Sequence, residues 1–280
     1  MIRKGVKFIV AGILMACGVG LALIGMALLG FDFSKLNQAG EKVTKEHTID
    51  QMIDAIEIDT GMADVTFETS KDDKLKVKCE EFEKLKYNVT VENGVLKIKT
   101  DDQRKWYEKF MVFGGFTSHK ITIFIPEAEK NSSVKKTADG KMVLDHVKID
   151  VSTGDIRMQD FAISGMLEID SSTGDAYLEN GTAGRMKLDA STGHMTLDKV
   201  IVENDLDVDL STGDFKLTAG DAGSVKIDTS TGDIYCEFLT EKNIEADAST
   251  GSVNVPENTG KGGKCKLDAS TGDITVKYVK

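Results

Sequence analysis

The chain has 280 residues, a formal net charge of −11, 27 glycines and only 2 prolines. Arg3, Lys4 and Lys7 are the only charged residues before Asp32, so the rest of the chain carries about −14. That balance excludes a nucleic-acid partner, which needs a basic face to neutralise phosphates, and the glycine-rich, proline-poor composition points to turn-rich β structure instead of a disordered linker.

Residues 1–7 form a basic tail, followed from Phe8 to Phe31 by an uncharged apolar run. About 20 apolar residues span a bilayer core, so residues 8–31 are expected to form one transmembrane helix. The positive flank places the N-terminus in the cytoplasm and the remainder outside the cell, giving a single-pass protein with an extracytoplasmic C-terminal domain. The run ends in Leu-Leu-Gly-Phe-Asp, a poor cleavage site, which favours an uncleaved anchor over a signal peptide. Leu14-Met15-Ala16-Cys17-Gly18 resembles the box before a lipid-modified cysteine, but the apolar run continues beyond Cys17 where a lipoprotein would turn polar. Gly12, Ala16 and Gly20 recur every four residues and leave close helix packing open.

Residues 32–50 read as a linker, 51–126 as an irregular N-terminal β region and cap, and 127–280 as a repeat domain, with 51–280 forming one continuous body. In the irregular part, Leu75–Lys78, Tyr87–Val91, Val95–Lys99 and Ile121–Ile125 have strand character, and Glu92-Asn93-Gly94 is a hairpin signal. Trp106, Tyr107, Phe110, Phe113 and Phe116 cluster between them and are expected to pack as part of the cap. Such a cap is needed because an array of strands must protect its end from edge pairing; Lys277 and Lys280 are candidates for the same task by charge at the other end.

The dominant feature is an internal repeat. Ser-Thr-Gly occurs seven times, with glycines at 154, 174, 193, 213, 232, 251 and 272. The columns seven and five residues before each glycine, and two and four after it, are apolar in every copy. The column six before it is always charged: Lys148, Glu168, Lys187, Asp207, Lys226, Glu245 and Lys266. Period-two alternation on both sides of a glycine turn means strand, turn, strand. Such a short element buries its apolar face only by stacking on its neighbours. The expected fold is therefore all-β, a parallel β-solenoid or β-helix of about 19–20 residues per coil, preceded by the N-terminal transmembrane helix. Ile58–Phe67 matches Ile149–Met158 without a gap and reads as a degenerate upstream copy, with Ala63 in the glycine position.

Asp stands four residues before every glycine, at Asp150, Asp170, Asp189, Asp209, Asp228, Asp247 and Asp268. It recurs one residue after the glycine at 155, 175, 214, 233 and 273, with His194 and Ser252 in the other two copies. Stacked carboxylates repel, and something must offset that. One reading has the Asp side chains capping the N–H groups of their own turns; the other makes Asp150, Asp170, Asp189, Asp209, Asp228, Asp247 and Asp268 a row of oxygen ligands for Ca²⁺. No cofactor is otherwise implied. His47, His119, His146 and His194 show no metal-ligand spacing, Ser133-Val134-Lys135-Lys136 is an isolated SxxK match, and Cys236 and Cys265 fall in inward columns as buried hydrophobes.

The anchor, the Ile58–Phe67 element, the strand leading to Ile125-Pro126-Glu127 and the repeated Asp-x-Ser-Thr-Gly-Asp coils together resemble the bacterial putative-adhesin family called domain of unknown function 4097, over roughly residues 50–280. The resemblance implies a β-solenoid on the cell envelope, sometimes beside envelope-stress regulators, and supplies no catalytic residues. The functional expectation is a membrane-anchored surface interaction or adhesin-like module that meets envelope polymers, cationic peptides or a surface protein and is not an enzyme. The alternative is a Ca²⁺-dependent, polysaccharide-active β-helix enzyme.

Overall fold

A computed structural model describes residues 41–72, 74–103, 119–126 and 142–279. The basic tail, the expected helix over 8–31 with Cys17, the start of the linker, the aromatic cluster from Trp106 to Phe116, the SxxK match at 133–136 and Lys280 lie outside the described residues. The chain divides into two compact units. Among described residues the smaller holds Glu41, Phe82–Leu85, Asp102 and Gln103; in it Phe82 pairs with Leu85 and the Gln103 N–H donates to the Lys84 carbonyl at 2.9 Å. The larger unit carries the repeats.

Strands β1 (Lys42–Ile49), β2 (Ala55–Thr60), β3 (Asp64–Ser70), β4 (Leu75–Phe82), β5 (Leu85–Glu92), β6 (Val95–Asp102) and β7 (Lys120–Pro126) precede the repeats. β1 lies within the segment 32–50 that the sequence suggested as linker. Asn93 and Gly94, between β5 and β6, both have positive φ, at 52° and 81°, the backbone of a tight hairpin turn. The repeats form β8 (Val143–Thr153), β9 (Ile156–Gln159), β10 (Ala162–Thr173), β11 (Ala176–Thr192), β12 (Met195–Thr212), β13 (Phe215–Thr231), β14 (Ile234–Phe238), β15 (Lys242–Thr250), β16 (Val253–Asn254), β17 (Gly263–Thr271) and β18 (Ile274–Tyr278).

The alternation places side chains as the sequence predicts. Val147, Leu167, Met186, Leu206, Val225 and Cys265 are buried in one column, and Ile156, Ala176, Met195, Phe215, Ile234 and Ile274 in another. A further inward column, three residues before the glycine, holds Val151, Ser171, Ala190, Leu210, Thr229 and Ala269. Its mixed polarity hid it from a search for apolar columns. Neighbouring copies pair in parallel, Leu167 beside Met186 and Met186 beside Leu206, so each apolar column packs on itself from rung to rung. One-residue differences in repeat length are taken up by register shifts, as between Ile163 and Met166 or Ala183 and Met186. The upstream copy also stacks as aligned: Ile58 pairs with Ile149 and Phe67 with Met158.

The expected fold class requires correction. All 18 strands belong to one sheet, and that sheet closes into a 10-strand barrel instead of a parallel solenoid. Among the described residues no helix is long and apolar enough to cross a membrane. Two physical features separate the expectation from the outcome. The segments read as connectors are themselves extended: β12 runs unbroken for 18 residues from one glycine turn to the next, so the flanking faces are a single continuous sheet. The pairing is also mixed, since β4 runs antiparallel to both β5 and β7.

Rung order differs from chain order at both ends. β2 and β3 lie between the rung of β6 and β7 on one side and that of β8 and β9 on the other. β17 and β18 are inserted between the rung of β13 and β14 and that of β15 and β16. The Gly251 copy, sixth of seven in sequence, is therefore the terminal rung. Its composition fits that place, because Ala246 and Val255 are only half-buried and Val253 is 44% exposed. Both ends are covered by local structure. β4 pairs along β7, and the Asn258 side-chain amide donates to Asn243 Oδ1 at 2.9 Å and to the Ile244 carbonyl at 3.0 Å. Lys277 is not an end guard: it belongs to the inserted rung, its ammonium 5.4 Å from the Tyr235 ring centre. Lys242, at the start of the terminal rung, also reaches β13: its buried ammonium pairs with Asp221 and donates to the Ala222 carbonyl at 2.6 Å and to Thr240 Oγ1 at 3.1 Å. The Lys242 N–H also donates to the Tyr278 hydroxyl at 3.1 Å.

Each glycine turn rests directly on the turn before it. Gly193 has φ +146°, and a Cβ there would lie 2.0 Å from the Gly174 carbonyl oxygen; at Gly213 the distance to the Gly193 oxygen would be 1.9 Å. Gly193→Ala is therefore expected to cost on the order of 3 kcal/mol from backbone strain and displaced packing. Gly61→Ala, in the degenerate copy, meets nothing within 4 Å and should change stability by well under ~1 kcal/mol. Urea denaturation of the two variants checks the contrast.

Candidate functional site: the outward ladders

Two outward rows flank the buried columns of the first strand in each rung. The row six residues before the glycine follows the registers Lys97, Glu57, Lys148, Glu168, Lys187, Asp207, Lys226, Lys266, Glu245. Its signs alternate except where rung insertion places Lys226 beside Lys266. Next to it runs the Asp row, extended upstream by Asp59: Asp59, Asp150, Asp170, Asp189, Asp209, Asp228, Asp268, Asp247.

These Asp residues do not cap their own turns as expected. In three copies the charge is met by the lysine two residues before: Lys187 Nζ lies 2.6 Å from Asp189, Lys226 lies 3.7 Å from Asp228, and Lys266 pairs with Asp268. Other lysines reach across a rung, Lys148 to Glu168 at 2.6 Å and Lys226 to Asp207 at 3.3 Å. The bond to Lys148 holds the Glu168 carboxyl below its usual range and pushes the lysine up. Asp150 moves the other way, raised by partial burial and then by Asp170 and Asp59 beside it. No group of three or more His, Cys, Asp or Glu side chains among the described residues is arranged to hold a metal ion.

Backbone capping falls instead to the residue just after each glycine, and it acts between rungs. The Asp155 N–H donates to Asp64 Oδ1 at 3.0 Å, Asp175 N–H to Asp155 Oδ1 at 3.1 Å, and His194 N–H to Asp175 Oδ1 at 2.8 Å. The Asp214 N–H donates to His194 Nδ1 at 3.1 Å, so imidazole replaces carboxylate as acceptor at this step. The relay continues with Asp233 onto Asp214 at 2.8 Å, Asp273 onto Asp233 at 2.8 Å, and Ser252 onto Asp273 at 2.7 Å. Ser252 is the last member because its rung is terminal, and no further N–H calls for an acceptor there. In the sequence Ser252 looks like a lapse inside the array. Its coincidence with Ala246 in the same copy was the signal that this copy stands at an end.

The cysteines among the described residues lack nucleophilic character. Cys79, Cys236 and Cys265 are buried free thiols, and burial pushes the Cys79 and Cys265 thiols up to about 12. One small recess is lined by Phe67, Met142, Leu144, Met158 and Phe161.

A glycine-turn β repeat whose outer surface consists of in-register polar rows defines the class of protein. The chain belongs to the DUF4097 Toastrack family, whose model matches residues 53–280. It is similar to the crystal structure of a putative adhesin from Bacteroides fragilis NCTC 9343, at 16% identity over 85% of this chain and 97% of that one, with a TM-score of 0.52. A putative adhesin and a putative lipid binding protein, both from Parabacteroides distasonis ATCC 8503, also match. They share 16% and 18% identity over 86% of this chain and 98% of each of those chains, with TM-scores of 0.41 and 0.35 that carry no structural argument. No curated protein matches the chain.

Two substitutions test the division of labour between the rows. Asp233→Ala leaves the Asp273 N–H without its acceptor and should cost on the order of 1 kcal/mol, while Asp233→Asn keeps an acceptor oxygen and should cost less. Asp150 has a raised pKa in the fold, so its charged form opposes folding at neutral pH and that opposition fades as pH falls through the carboxyl range. Asp150→Asn should therefore stabilise by a few tenths of a kcal/mol at pH 7 after solvent screening, with no gain near pH 3. Thermal melts at the two pH values read both effects.

Proposed function

We propose that the chain is a non-catalytic surface interaction module, held at the cell envelope by residues 8–31 with its β body outside the cell. The observation that carries this reading is the set of outward rows repeated in register along the sheet, which offer one partner many equivalent contacts. Family membership supports it, as does the Bacteroides fragilis structure described as a putative adhesin. The charge of about −14 beyond the basic tail favours uncharged or cationic partners over polyanions.

Protease shaving of intact cells should release the β body while leaving the N-terminal tail protected. The full chain should in addition be depleted from solution by the isolated envelope fraction of the same cells. A protected body, or a chain that the envelope fraction fails to deplete, would overturn the proposal.

A further inference from the structure

Ser and Thr occupy the two positions before the glycine in all seven copies, and all fourteen residues are exposed. The threonines are in register through the whole array: Thr153, Thr173, Thr192, Thr212, Thr231, Thr271, Thr250. None of the fourteen hydroxyls has a hydrogen-bond partner within the protein. The turn uses the Thr carbonyl, which accepts the glycine N–H of the adjacent rung, as Gly154 onto Thr173 at 3.0 Å, and any residue supplies a carbonyl. Nothing in the fold therefore fixes the hydroxyls. The degenerate copy makes the same point, since it stacks in register with Gly61 and Met62 at these two positions.

Other outward positions have diverged. Three residues after the glycine stand Arg157, Tyr177, Thr196, Lys216, Tyr235, Asn254 and Thr275. Exposed positions thus vary between copies where nothing holds them, while the hydroxyl pair does not vary. Within that diverged row the registers run Tyr177, Thr196, Lys216, Tyr235, so two partly exposed aromatic rings lie three steps apart along the array, or roughly 14 Å at the ~4.8 Å strand spacing. The carboxylates that follow the glycine in five of the seven copies run between the Thr row and the Tyr row and disfavour a polyanion.

We infer that this face binds an extended, uncharged polysaccharide lying along the array axis. The Thr and Ser hydroxyls and the intervening carboxylates would exchange hydrogen bonds with successive sugars, and the Tyr177 ring and the face of the Tyr235 ring away from Lys277 would stack on sugar faces. A ladder with one donor–acceptor per strand suits a polymer with one hydrogen-bonding edge per sugar, and each added sugar meets another rung. The inference deepens the surface-module reading and rests on it.

The test is calorimetric titration of the full chain with neutral cello-oligosaccharides and N-acetylated chito-oligosaccharides of increasing length, with polygalacturonate as the anionic control. Affinity for at least one neutral series is expected to rise with length, with no binding of the control. Thr192→Val with Thr212→Val keeps the branched shape and removes two central hydroxyls; Tyr177→Ala with Tyr235→Ala removes the stacking rings. Each pair should weaken binding of the longest oligosaccharide at least tenfold while leaving the melting temperature within a degree or two of the parent. Failure to bind any neutral oligosaccharide, affinity independent of length, or binding unchanged in both double variants would overturn the inference. Depletion by the envelope fraction alongside any of these results would leave the surface-module reading standing; loss of both would end both.

Discussion

The structure depends on one steric fact, the contact of each glycine turn with the carbonyl of the turn before it. At Gly154, Gly174, Gly193, Gly213, Gly232, Gly272 and Gly251 a methyl group would lie within about 2 Å of backbone oxygen in the neighbouring rung. The absence of a side chain lets successive turns approach to strand spacing. That spacing keeps the flanking strands hydrogen-bonded, brings Leu167, Met186 and Leu206 onto one another, and sets the pitch of every outward row. Core packing and surface display are therefore two results of the same close approach.

The rows divide the electrostatic work. The Asp row lies beside lysines, which at Asp189, Asp228 and Asp268 meet its charge from two residues away. The row after each glycine binds backbone N–H groups and ties one rung to the next. His194 fits this second row because its Nδ1 accepts the Asp214 N–H where a carboxylate otherwise stands. The two rows look alike in a sequence, yet the first is a matter of charge balance and the second of hydrogen-bond acceptance.

Much of the rung was legible without coordinates, because a period of two fixes which residues point inward and the Ser-Thr-Gly spacing fixes which residues stack. The alignment of Ile58–Phe67 on Ile149–Met158 holds residue for residue for the same reason. What was not legible is how rungs join. The alternating signs of Lys226, Glu245 and Lys266 suit chain order, whereas the weaker core at Ala246 and Val253 and the Ser at 252 suit the observed order, and burial outweighs an exposed charge step. Extended connectors such as the middle of β12 carry no turn residue to betray that the sheet continues through them, so closure of the sheet left no mark in the repeat. The destination of the Asp carboxylates was misread because sequence spacing relates a side chain to its own turn, and the acceptors that matter act on the next one.

The inverted order of the last two rungs has a consequence for synthesis. β15 and β16 leave the ribosome before β17 and β18, yet among the described residues their strand pairing is with β17 and β18. The Gly251 segment must therefore wait, unpaired, until the closing 17 residues of the described chain have taken their place against β13 and β14. Residues 263–279 are thus a keystone set in the interior of the array: without them the chain would forfeit two rungs, the one they build and the one that pairs with it.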